Sequence, residues 1–151
     1  MFQVGLATVA LVGLAACGTN GSTVAANNSS PATVALQYTE ALFGGHLDAA
    51  RQFVAPASQN TFLVVTAGLG SLSMRTQGLT IGSTSVSDST AVAILMGTLC
   101  SSHGLAPLTP ADTSSSVNCV TNSNPHSANP VFRVQLIRNS DGRWLVTYRA
   151  P

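Results

Sequence analysis

The hydrophobic residues change period near Gly78, and that change most limits the folds open to the chain. Upstream they recur at helical spacing; downstream they alternate. Ser30-Pro31 opens the helical part, with a hydroxyl to cap free N–H groups and a proline where its missing N–H is harmless. Val34, Leu36, Tyr38, Leu42 and Phe43 then share a broad apolar face, which Gly44-Gly45 ends. A second helix is expected over 47–54, with Leu47, Ala50, Phe53 and Val54 inward, stopped by Pro56. A third helical segment is expected from Ala57 to about Gly68, with Phe62, Val65 and Leu69 on one face.

After Gly78, Leu79 and Ile81 alternate with Thr80 and Gly82, the pattern of a strand with one buried face. Ala91 to Leu99 is apolar at successive positions, as in a central strand covered on both sides. Phe132, Val134 and Leu136 alternate with Arg133, Gln135 and Ile137. Asn139-Ser140-Asp141-Gly142 is a strong turn, and Trp144, Val146 and Tyr148 form the last alternating strand. Helices first and a run of antiparallel strands second make an α+β domain of N-terminal helices packed on a sheet.

One domain is what the length allows. Apolar residues make up 45% of the chain and charged residues only 7%, against about 25% in an average soluble domain. Enough apolar mass remains for a core, so the low charge implies a surface of Ser, Thr, Asn and Gln. The net charge is +1 and the arginines are scattered. No basic patch exists to hold nucleic acid.

Residues 4–16 read VGLATVALVGLAA, an apolar run of 13 residues. That is short of the roughly 20 needed to cross a bilayer, but it suits the core of an export leader. It ends in Leu14-Ala15-Ala16-Cys17, which resembles the bacterial lipobox. The resemblance implies a leader over 1–16, cut before Cys17, and a diacylglyceryl group on the Cys17 thiol. Met1-Phe2-Gln3 lacks the Lys or Arg with which such leaders usually begin. Residues 17–30, small, polar and uncharged after the cysteine, are expected to be a flexible tether to the folded domain at 31–151.

The opening stretch from Pro31 to Pro56, with its Gly-Gly break and AARQFVAP, and the closing RNSDGRWLVTYRAP together resemble nuclear transport factor 2-like domains. That family includes ketosteroid isomerase and polyketide cyclase-like proteins. The resemblance implies a curved antiparallel sheet wrapped round helices into a cone with an apolar pocket. The polar segment at about 101–129 departs from a compact member and reads as an insertion.

With Cys17 assigned to lipid, Cys100 and Cys119 remain. In an exported protein two such cysteines read as a disulfide, closing a loop of about 18 residues worth about 3 kcal/mol. Free thiols and a metal site are the competing readings, and a metal would need further ligands at suitable spacing.

Chemistry-bearing motifs are absent. Gly68-Leu69-Gly70 begins a dinucleotide fingerprint, but Ser73 replaces its last glycine, and Gly82 to Val86 fails as a nucleophile elbow. Only five carboxylates occur. Glu40, beside the apolar face of the first helix, is a candidate pocket acid whose plainer reading is a solvated helix residue. Asp48 caps or flanks the second helix, Asp88 and Asp141 sit in turns, and Asp112 follows Pro110. His46, His103 and His126 read as loop residues rather than bases or ligands. Tyr38 and Tyr148 are candidate hydrogen-bond donors to a pocket. No catalytic residue, cofactor or metal is expected.

These features describe a lipid-anchored protein of the cell membrane, facing outside the cytoplasm. Its domain is read as a non-catalytic module that binds an apolar small molecule or an envelope protein. The alternative is a pocket enzyme of the isomerase or cyclase type, with Glu40 or a histidine as base.

Overall fold

The computed structural model describes residues 29–104, 108–109 and 116–148. The leader, Cys17, the tether as far as residue 28, and Asp112 lie outside these residues. The helical half comprises α1 (Pro31–Phe43), α2 (Leu47–Arg51) and α3 (Gln59–Leu69), the last entered through a 3₁₀ turn at Pro56–Ser58. The strands are β1 (Leu72–Ser87), β2 (Thr90–His103), β3 (Asn118–Asn122), β4 (Arg133–Arg138) and β5 (Trp144–Val146). Helices pack against a curved, unclosed antiparallel sheet, so the class is α+β.

α1 starts where its caps are. Ser30 Oγ accepts from the Thr33 N–H at 3.2 Å, and Pro31 occupies the first turn. At the other end the Gly44 N–H donates to Glu40 O at 2.8 Å, and Gly45 takes φ 78°, a left-handed conformation natural only to glycine. Val34, Ala35, Tyr38, Thr39 and Leu42 form the buried face. Thr39 is polar but satisfied, since its hydroxyl donates to Ala35 O at 2.8 Å.

α2 is shorter than the expected 47–54, and Leu47 is exposed rather than inward. The physical reason lies at the far end of the chain. The Ala55 N–H donates to Val146 O at 2.9 Å, and the Val146 N–H donates to Phe53 O at 2.8 Å. Val54 thereby makes a parallel bridge to Val146. The open edge of β5 offers these backbone groups partners, so the chain leaves the helix to take them. Phe53 and Val54 are still buried, through an extended segment rather than a helix face.

β1 also begins earlier than its alternation suggests, at Leu72. Gly78 is a bend within the strand rather than its start. The β1–β2 register shifts between Gln77 and Thr80 and again between Ile81 and Ser83. Across the bend sits Gly97 with φ 131°, where an added Cβ would meet Gly78 O at 2.9 Å and Leu79 Cα at 3.0 Å. Only glycine fits so close a backbone approach, and the irregularity curves the sheet.

β2 is the central strand. β1 pairs along one side, while the other side is shared: β4 takes Thr90 to Ile94 and β3 takes Gly97 to Ser101. The ladder breaks between them, and the buried Asn122 fills the break by donating from Nδ2 to Leu95 O at 2.6 Å. β3 is thus an ordered strand inside the segment read as a polar insertion. It places Cys119 directly opposite Cys100, and the two sulfurs are bonded at 2.02 Å.

The core lies on one side of the sheet. Ala91, Ala93 and Leu95 of β2, Val134 and Leu136 of β4 and Val146 of β5 cluster with Val34, Ala35, Tyr38 and Leu42 of α1. Ala50, Phe53, Val54, Phe62 and Phe132 complete it. The closing β4–β5 hairpin pairs Leu136 with Val146 and Arg138 with Trp144. Asn139 Oδ1 holds its turn by accepting from the Asp141 and Arg143 N–H groups at 3.1 and 2.8 Å.

Candidate functional site

The helices do not cover the sheet completely. A cavity of about 520 Å³ lies between α1, α3 and the helix-facing side of the sheet, within the usual size range of small-molecule sites. α1 contributes Tyr38, Thr39, Leu42 and Phe43, and α3 contributes Val65 and Leu69. Leu72 and Met74 of β1 with Leu99 and Ser101 of β2 form the floor, and Val146 and Tyr148 close one wall. In the β1–β2 register Met74 faces Ser101 and Thr76 faces Leu99, so these residues share the sheet face that packs on the helices.

Two phenols mark the cavity wall. The hydroxyls of Tyr38 and Tyr148 are hydrogen-bonded to each other. Burial pushes the Tyr38 hydroxyl far above its ordinary pKa, and the bond to Tyr148 adds to the shift. Burial also raises Tyr148, partly offset by the same bond. Both hydroxyls are therefore neutral at neutral pH. In such a pair one O–H is spent on the partner oxygen and the other can still donate, so the pair offers a donor to a ligand acceptor.

Arg133 is the one charged residue on the lining, and no carboxylate or imidazole lies on it among the described residues. Glu40 is a correction: it is exposed and off the cavity. Two residues along a helix is about 200° of rotation, so a face that buries Tyr38 turns Glu40 outward. His46, His103 and His126 are likewise exposed, as are Asp48, Asp88 and Asp141. None of the groups considered as a base reaches the cavity. Among the described residues no three His, Cys, Asp or Glu side chains gather as a metal site, and no helix is long and apolar enough to cross a membrane.

Of the residues singled out from the sequence, Tyr38 and Tyr148 meet at the cavity, while Cys17 lies outside the described residues. Met74 and Leu72 were missed because they precede Gly78, where no strand was expected. Val131 was missed because nothing in its neighbours indicates that the 3₁₀ turn Pro130–Phe132 borders a cavity. Compared with known proteins, the chain matches no family model, no curated protein and no solved structure.

Proposed function

We propose that this chain is a lipoprotein anchored through Cys17 to the cell membrane, outside the cytoplasm, whose domain binds an apolar small molecule. The domain is read as a nuclear transport factor 2-like cone. Supporting the anchor is the Leu14-Ala15-Ala16-Cys17 motif at the end of a 13-residue apolar run. Two acyl chains on one cysteine would hold it firmly, where a single chain binds only marginally. Supporting the cone are the helices that precede a curved sheet and the cavity between them.

The observation that carries the binding reading is the character of that cavity. Its walls are aliphatic and aromatic, its neutral polar groups include a paired phenol, and it holds no acid–base pair among the described residues. Such a site can desolvate an apolar ligand and fix its orientation by one hydrogen bond. A partner protein remains the second occupant of the binding reading.

Titration with N-phenylnaphthylamine, a neutral dye that fluoresces in apolar surroundings, tests this. The expected result is saturable binding at one site, lost in Met74→Trp, which fills the floor of the cavity. Equal binding to wild type and to a folded Met74→Trp variant would remove the cavity from the function.

A further inference from the structure

α3 is an unusual helix for a protein surface. Of its eleven residues it buries only Phe62 and Thr66, and it carries no charge. Leu63, Val64 and Val65 stand in succession at 47%, 74% and 37% exposure. Val65 also lines the cavity, and so does Val131, itself 42% exposed. The exposed aliphatic surface and the cavity lining are therefore continuous at the cavity rim. Scattered apolar residues on a surface are ordinary, but a cluster at the mouth of an apolar cavity marks a contact site.

The chemistry of this rim favours lipid over protein. Protein interfaces draw their energy from buried Trp, Tyr and Arg anchors, and Leu63, Val64, Val65 and Val131 include none. Aliphatic side chains without hydrogen-bonding groups match the acyl region beneath the headgroups, where partitioning scales with buried apolar area.

The chain outside the structure supplies the second argument. Fourteen residues from Cys17 to Ser30 separate the anchor cysteine from α1, and that length reaches at most about 50 Å. α1, with 13 residues, is about 20 Å long. Leu42 and Phe43 at its far end line the cavity. An anchored domain can therefore turn its rim onto the bilayer that holds its own lipid.

We infer that the α3 rim, with Val131, docks on the bilayer surface, so that the cavity loads or unloads an apolar molecule directly from the membrane. This rests on the lipid-anchor reading, and the two fail differently. Cys17 is lipidated on that reading and Cys100 is bonded to Cys119, so Val64→Cys introduces a single free thiol. The lipidated protein, labelled there with the polarity-sensitive dye NBD, is reconstituted in phosphatidylcholine vesicles and sedimented. Docking predicts blue-shifted emission quenched by nitroxide-labelled acyl chains. The same label at Val86→Cys, exposed at the β1–β2 hairpin, reads as water-exposed. Val64→Asp, which alters no buried contact, is expected to abolish quenching of a label placed at Val131→Cys while the protein still sediments. Protein left in the supernatant overturns the anchor and the docking together. Sedimented protein with a water-exposed label at position 64 overturns the docking alone.

Discussion

Tyr38 on α1 and Tyr148, two residues beyond β5, are 110 positions apart in sequence and joined hydroxyl to hydroxyl at the cavity wall. They are the only two tyrosines in the chain, so phenolate absorbance reports this pair alone. Both folded-state pKa values lie above the ordinary value of 10.0, by burial first. A neutral form favoured by folding gives stability that is fully present below about pH 10 and falls as pH rises beyond it, because the unfolded chain loses protons first. The expected titration shows little phenolate until the protein unfolds in alkali. A folded protein titrating near its ordinary value would show the pair to be solvated.

Tyr38→Phe removes one hydroxyl and leaves Tyr148 half-buried without this partner. The expected loss is about 1 kcal/mol, the usual worth of a neutral hydrogen bond. Its alkaline instability should also weaken relative to wild type. Urea denaturation at pH 7 and at pH 10.5 reads both effects.

The Cys100–Cys119 bridge spans 19 positions and ties β3 to the central strand. Replacing both cysteines by serine is expected to cost about 3 kcal/mol through freed loop entropy, roughly 10 °C in Tm for a domain of this size. Calorimetry of the double variant, beside wild type with and without reductant, checks the value.

Gly97 and Gly68 should respond to alanine in opposite directions. At Gly97 the left-handed φ and backbone atoms within 3.0 Å of a Cβ leave no room, so Gly97→Ala is expected to cost about 2 kcal/mol. At Gly68, in α3, a Cβ meets nothing within 4 Å, and Gly68→Ala should stabilise by up to about 1 kcal/mol. Denaturation midpoints of the two variants check the signs.

Asn122 takes Leu95 O at the break between β3 and β4. Asn122→Leu keeps the bulk but strands a buried carbonyl, at an expected cost of about 1–3 kcal/mol. Hydrogen exchange should quicken first in β3, which among the described residues pairs with β2 alone.

Much of this architecture is legible in the residues themselves. α1 can be read because its cap, proline and glycine stop are local signals, and the last hairpin because Asn139 to Gly142 is a turn by its own chemistry. The early end of α2 is not legible, since it depends on an edge that Val146 supplies from the other end of the chain. The early start of β1 is hidden by a mostly polar run, in which Ser73, Arg75, Thr76 and Gln77 surround only Leu72 and Met74 as apolar residues, and those two line the cavity. At the site, Tyr38 follows from the α1 face, and Glu40 fails by its rotation on the same helix. The rim at Val64 and Val65 reads as a weak helix in sequence and acquires meaning only beside the cavity.

The most direct test of a loaded cavity on an anchored protein is native mass spectrometry of the chain extracted from membranes in mild detergent. The expected spectrum shows a mature N-terminus at Cys17 carrying lipid, and a non-covalent apolar adduct that leaves on denaturation and is missing from Met74→Trp. A wild-type protein with an unmodified Cys17 and no adduct would contradict both halves of the proposed function.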